Sequence, residues 1–225
     1  MSGFQSFWNG LDWSVLTDML LSVIPALLCI TLHELSHGYA AWRLGDDTAK
    51  NAGRLTLNPL RHIDPMGLVM MVAFHFGWAK PVPVDMRNFR SPKRDMAVTA
   101  AAGPLCNLLI TVVLLFLYGL LWLPLKGENV ALDLLLITAR LSLSLAVFNV
   151  LPIPPLDGSK VLYAFLPEDR YYTLMRYERY GMILLLVAVA TGILGSPLSS
   201  VTGWLFEKLS VLVQWGWRLS VLAAG

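Results

Sequence analysis

"ITLHELSHGYAAW", Ile30–Trp42, carries two histidines, a glutamate and a serine through a run whose other residues suit a membrane interior. Three ionisable groups within five residues are costly in lipid, and such groups mark a functional site by default. On a helix, His33 and His37 fall at i and i+4 on one face, so their ring nitrogens can converge on one ion. Glu34, one residue on from His33, is placed to act as a general base. The pattern suits Zn²⁺, which lowers the pKa of a water and polarises a carbonyl.

Composition agrees with a membrane setting. Of 225 residues, 56% are hydrophobic and 14% charged, against about 25% charged in a soluble domain. The mean hydropathy is +0.61. This is too apolar for a water-soluble chain of this size, which points to an integral membrane protein. The net charge of +2 and the lack of a basic, aromatic-rich face argue against a nucleic-acid partner. Cys29 and Cys106 lie in apolar surroundings and read as small buried hydrophobes. The first 14 residues hold no Lys or Arg. A cleavable signal peptide is therefore not expected, and the first apolar segment should remain.

The first apolar run is Val15–Trp42. As a helix it would reach about 42 Å, beyond the ~30 Å hydrocarbon core, so the motif should sit near one membrane surface. Pro25 should kink it, and "RLGDD" (Arg43–Asp47) should end it with Gly45 as a cap. A polar stretch follows, Thr48–Asp64, with a strand-like piece at "GRLTLN" (Gly53–Asn58). The apolar core of Pro65–Val84, Met66–Trp78, is short for a span and better suited to a re-entrant or interfacial element. "GWAKPVPV" reads as an extended edge, because Pro81 and Pro83 exclude a central strand. Met96–Leu123 and Val130–Leu151 are clear spans, Gly181–Leu194 is a shorter one, and Leu198–Leu222 spans or lies along the surface. The expected fold is all-α, with about four to five transmembrane helices and a short re-entrant or β-like segment between the first and second.

Charge orients this topology. With Pro65–Val84 re-entrant, Arg43–Asp95 and Pro152–Tyr180 share one side and hold thirteen of the seventeen Lys and Arg. The positive-inside rule makes that side cytoplasmic, with the motif near it in a multi-pass cell-membrane protein. A full span at 65–84 would erase the bias.

A catalytic zinc needs a third protein ligand and an open position. His62, His75, Asp64, Asp157, Glu168 and Asp169 are the candidates. "FNVLPIPPLDG" (Phe148–Gly158) closes a span on the motif's side, and Pro152, Pro154 and Pro155 break the helix there. Asp157 then sits on unwound backbone near the depth of His37, although Pro-x-x-Asp-Gly is also an ordinary turn. His62 and His75 are the better ligands by type, but His62 sits in a polar loop and His75 reads equally as an interfacial or packed histidine. Asn149 and Asn107 lie in apolar spans; each reads as a donor to substrate or as a helix-packing group, with packing favoured for Asn107.

The ordered series HELSH, "AGRLTLNPLRHIDPMG", "FGWAKPVPV", "AGPLCN" and "FNVLPIPPLDG" resembles the site-2 protease family of intramembrane zinc metalloproteases (peptidase family M50). The resemblance extends from about Leu32 to Val161. It implies His33, His37 and Asp157 as ligands of one Zn²⁺, Glu34 as catalytic acid/base, and a role for Asn149 near the scissile bond. It implies substrates that are membrane-anchored proteins, cut within or next to their transmembrane segments in the lipid bilayer. The chain is similar to the short members without PDZ or CBS domains. A single membrane-embedded domain is expected, with a catalytic core of about 15–165 and C-terminal helices at 180–222. The competing reading is a membrane metal-binding protein or transporter that uses the same His/Asp cluster. It leaves Glu34 without a purpose, and the sequence shows no inverted repeat.

Overall fold

In an apolar setting each backbone N–H must find its acceptor within its own segment, which favours helix. The computed structural model describes residues 13–74, 77–127 and 129–224, and their regular structure is helical apart from one isolated bridge, Ile63 with Ala79. Helix α1 is Trp13–Arg43, α2 is Thr48–Asn51 and α3 is Pro65–Phe74. Two 3₁₀ turns, Pro59–Arg61 and Met86–Asn88, flank α3 and its return. Then come α4 (Pro92–Trp122), α5 (Val130–Val150), the short α6 (Asp157–Tyr163), α7 (Glu168–Ala190), α8 (Gly195–Leu209) and α9 (Val211–Ala224).

Among the described residues two helices, α4 and α5, are long and apolar enough to cross a membrane by themselves. Tyr180–Ala190 and Gly195–Ala224 meet that test together, but they are bent by 84° and make a third span only if taken as one. The C-terminal stretch anticipated as Leu198–Leu222 is thus two helices divided at Ser210.

Local chemistry sets the helix ends. Pro25 lies inside α1 and is fully buried. Gly45 adopts φ 107°, a conformation open to glycine, just past the end of α1. Pro92 opens α4, and the buried Asp95 carboxylate accepts the N–H of Ser91 at 2.9 Å, satisfying the donor just before the helix. Asn129 caps α5 by accepting from Ala131 N–H at 2.8 Å.

Helix α4 is the centre of the bundle and packs against α1, α5, α6 and α9. Its contact with α9 is a close backbone approach. A Cβ on Gly119 would lie 2.0 Å from Val213 O, and one on Gly216 would lie 2.2 Å from Phe116 O. Small residues that let backbones meet are the usual basis of packing between membrane helices. Between α4 and α5, Thr111 Oγ1 donates to Ala139 O, and Ser142 Oγ donates to Asn107 O. Arg140, charged within α5, lies 5.0 Å over the Phe206 ring of α8.

The region between α1 and α4 corrects one expectation. Gly53–Asn58 forms no strand. Its polar side chains bond locally instead: Thr56 Oγ1 accepts from Asn58 N–H, and Asn58 Oδ1 accepts from Leu60 N–H. Such bonds compete with a ladder. Past α3 the chain turns back on itself. A Cβ on Gly67 would lie 2.1 Å from Trp78 O, and Lys80 N–H donates to His62 O at 2.9 Å. Residues 78–80 therefore lie beside residues 62–67, and 77–85 forms neither helix nor strand apart from the bridge at Ala79.

Candidate metal centre

The helical repeat of α1 carries His33 and His37 to the same face, one turn apart. Their Nε2 atoms are 3.0 Å from each other. Across from them, the chain leaves α5 at Leu151, passes Pro152, Pro154 and Pro155, and starts α6 at Asp157. Asp157 is the first residue of a short helix rather than unwound chain. Gly158 permits this placement, since a Cβ there would strike Val150 O at 2.0 Å and Leu151 O at 2.6 Å. Gly181 of α7 does the same against Pro154, 2.4 Å from its Cβ.

Asp157 Oδ2 lies 3.2 Å from Nε2 of both histidines. His33 is 5% exposed, His37 9% and Asp157 8%. His37 Nδ1 is 2.8 Å from Thr99 O, an acceptor only, so Nδ1 carries the proton and Nε2 is left with its lone pair. Asp157 Oδ2 is buried and takes no hydrogen bond. Three ligand atoms from buried side chains thus converge on one point, and the Asp157 oxygen among them has no hydrogen bond; a divalent cation would satisfy such a donor set. The triangle also has the right size. Ligands about 2.0–2.1 Å from a tetrahedral zinc lie about 3.3 Å apart, close to these separations. The three residues fit a zinc ion.

Helix α4 forms the wall behind the histidines, with Thr99, Gly103 and Asn107 at successive fourth residues. A Cβ on Gly103 would come within 2.5 Å of His37 Nε2 and 2.7 Å of His33 Cε1, so glycine leaves room for both rings. Asn107 Nδ2 is 3.2 Å from His33 Nδ1, and the residue is fully buried. Glu34 accepts Val82 N–H at its Oε2 at 2.9 Å. Gly38, one turn on, leaves space for that segment: a Cβ there would lie 3.0 Å from Val82 Cγ1 and 2.7 Å from Leu55 Cδ2. Arg54 Nη2, donating to Lys80 O at 2.6 Å, holds the same segment from behind.

The other candidates lie elsewhere. His62 is buried with Nε2 3.0 Å from Thr56 O, a loop-building contact. Asp64 accepts Gly67 N–H at the start of α3. Glu168 and Asp169 occupy the first turn of α7. His75 lies outside the described residues. Asn149 Nδ2 donates to Leu145 O at 2.9 Å, one turn back on its own helix. Thr99, Gly103 and Val82 escape a reading of side-chain chemistry because they act through a carbonyl, an empty volume and an amide N–H.

Comparison with known proteins leads to zinc metalloproteases. The model of peptidase family M50 matches residues 125–194, which include Asn149 and Asp157. YwhC of Bacillus subtilis, which bears a zinc metalloprotease name, is 39% identical over 189 residues, 81% of this chain and 83% of that protein. Rip2 of Mycolicibacterium smegmatis, similarly named, is 30% identical over 89% of this chain and 80% of its own length. The zinc metalloprotease MJ0392 of Methanocaldococcus jannaschii is 27% identical over 76% of this chain but 40% of its own. No solved structure matches the chain.

Proposed function

Because the chain belongs to peptidase family M50 and is a membrane zinc metalloprotease, we propose that it hydrolyses peptide bonds within or next to the transmembrane segments of membrane-anchored proteins. His33, His37 and Asp157 would hold the zinc. The observation that carries this assignment is their convergence, with Oδ2 equidistant from two Nε2 atoms. Zinc, when bound, supplies Lewis acidity toward a carbonyl and toward water. Glu34 takes the proton of the attacking water and delivers it to the departing amide nitrogen. Its Oε2 is fixed by Val82 N–H, which leaves Oε1 for that exchange. Asn149 would donate to the substrate near the scissile bond once its amide leaves Leu145 O.

The proposed topology has α1, α4, α5 and the bent C-terminal pair as spans in a single domain, with a core of about 15–165. Helix α3 has ten residues, about 15 Å of rise, half of what a crossing needs. That length, and the return of Trp78 to Gly67, support a re-entrant segment with both flanks on one side. The thirteen clustered basic residues make that side cytoplasmic. A substrate helix must unwind before cleavage, because its peptide groups are internally bonded. The 77–85 segment beside Glu34 is the surface on which it would lie as an added strand.

The test is cleavage of a single-pass substrate in liposomes by wild type, Glu34→Gln and Asp157→Ala, with zinc content measured on each. Glu34→Gln should keep zinc and lose cleavage; Asp157→Ala should lose much of both. Cleavage by Glu34→Gln would sink the assignment.

A further inference from the structure

We infer that Asn107 is a positioning residue for the zinc site, its carboxamide oxygen accepting the Nδ1–H of His33 and so fixing the tautomer that offers Nε2 to the metal; this rests on the ligand assignment above. A neutral histidine has one N–H, and if Nε2 binds the ion then Nδ1 must carry the proton. For His37 that proton goes to Thr99 O. For His33 the group facing Nδ1 is the Asn107 carboxamide, at 3.2 Å.

A carboxamide is nearly symmetric in outline, so the ring's proton decides which end faces it. With Nδ2 toward Nδ1–H two donors would oppose each other, while Asn107 Oδ1 would be a buried acceptor with nothing to accept. With Oδ1 toward the ring, the pairing of His33 is complete. The backbone of Asn107 is pinned independently. Its carbonyl receives Thr111 Oγ1 at 2.9 Å and Ser142 Oγ at 2.8 Å, so α4 and α5 together set the height of the side chain. Helix α4 thus serves the two histidines by different means at eight residues' spacing: a main-chain carbonyl for His37 and a side-chain oxygen for His33. Partners of this kind orient metal-bound imidazoles and raise their basicity.

The acceptor role separates from a packing role by substitution. Asn107→Asp keeps an acceptor of the same shape and removes the amide donor. Asn107→Leu keeps the volume and removes both. Purified full-length wild type, both variants and His33→Ala would be stripped of metal, then titrated with zinc against a chelator of known affinity. Thermal unfolding of each stripped form reports whether it is folded. The expected result is a loss of zinc affinity of about 10–100-fold in Asn107→Leu, with Asn107→Asp within a few-fold of wild type. Wild-type affinity in folded Asn107→Leu overturns the inference. So does an Asn107→Asp variant that is folded yet as weak as Asn107→Leu, because the oxygen would then not be what matters. If Asn107→Leu fails to fold, Asn107→Ala replaces it in the same comparison. Undiminished zinc binding by His33→Ala would instead bring down the ligand assignment on which the inference rests.

Discussion

The carboxylate of Glu34 and the backbone N–H of Val82 are joined at 2.9 Å across 48 residues of sequence. Pro81 and Pro83 on either side have no N–H, so Val82 carries the one amide donor of that tripeptide. Pro83 pushes Val82, the residue before it, toward extended or polyproline backbone, which a third proline would also adopt. Val82→Pro therefore removes the donor and leaves the path of the chain. A hydrogen bond to a charged group contributes roughly 1.5–3 kcal/mol, which corresponds to about 10–100-fold in rate if the bond orients Glu34 in the transition state. Val82→Pro should lower kcat by that factor with zinc content unchanged, while Val82→Ala, which keeps the N–H, should stay near wild type. Equal kcat in the two variants would dispose of the orienting role.

Gly103 is a stricter requirement. Alanine there places a methyl group 2.5 Å from His37 Nε2, the atom assigned to the metal. The rings must shift, and α4 cannot retreat because α5 and α9 press on its other sides. Overpacking of this kind costs about 1–3 kcal/mol. Gly103→Ala should bind zinc at least about 10-fold more weakly while remaining helical by circular dichroism. Wild-type zinc affinity in this variant would mean that the rings have more freedom than the contacts allow.

Which parts of this site a linear reading reaches follows from what carries each function. His33 and His37 are legible as a pair because helical spacing alone brings their Nε2 atoms together. Asp157 is legible because three prolines must break the helix just before it, although the chain restarts as α6 at that very residue. The wall of α4 is not legible in the same way: a carbonyl at Thr99 and a void at Gly103 have no side-chain signature. Asn107 reads as a packing residue until His33 is seen 3.2 Å away. The strand expected at Gly53–Asn58 fails because local Thr56 and Asn58 bonds outcompete a ladder without a partner. Helix α7 begins at Glu168, well before the apolar Gly181–Leu194, since a polar first half is invisible to hydropathy. The packing of the last helix on α4 rests on backbone contacts at Gly119 and Gly216, which carry no side-chain signature.

Zinc should also act as a structural clamp. The three residues proposed to hold it come from α1 and α6, and α6 is held to α7 by Lys160 Nζ and Glu178 Oε1 at 3.3 Å. A ligand that binds only the folded state at 100 times its Kd stabilises by about 2.7 kcal/mol. For a chain of this length that is a rise in Tm of roughly 5–10 °C. Adding zinc to stripped wild type should produce that rise, and His37→Ala and Asp157→Ala should show little of it. Equal rises in all three would place the stabilising ion elsewhere.

The turn after α1 makes a separate prediction about pH. Asp46 is fully buried, yet it accepts from the Thr48 hydroxyl and N–H, from Asp85 N–H at 2.8 Å and from Asn88 Nδ2 at 2.7 Å. Burial by itself would raise its pKa. The donors from Thr48, Asn88 and Asp85 outweigh that and hold the carboxyl below its ordinary value of 3.8. A group with a depressed folded pKa contributes stability that is complete above the unfolded value and fades as pH falls through the folded one. Replacing Asp46 with Asn keeps one acceptor but sets a second donor against Asp85 N–H. It should cost about 2–4 kcal/mol at pH 7, seen as a lower Tm. The gap in Tm between wild type and Asp46→Asn should be constant from pH 7 to about 5, then narrow below about 4 as the wild-type carboxylate protonates. A gap that stays constant down to pH 3 would show that the charge on Asp46 contributes nothing. The four bonds would then act through shape alone in tying the end of α1 to the segment that carries Val82.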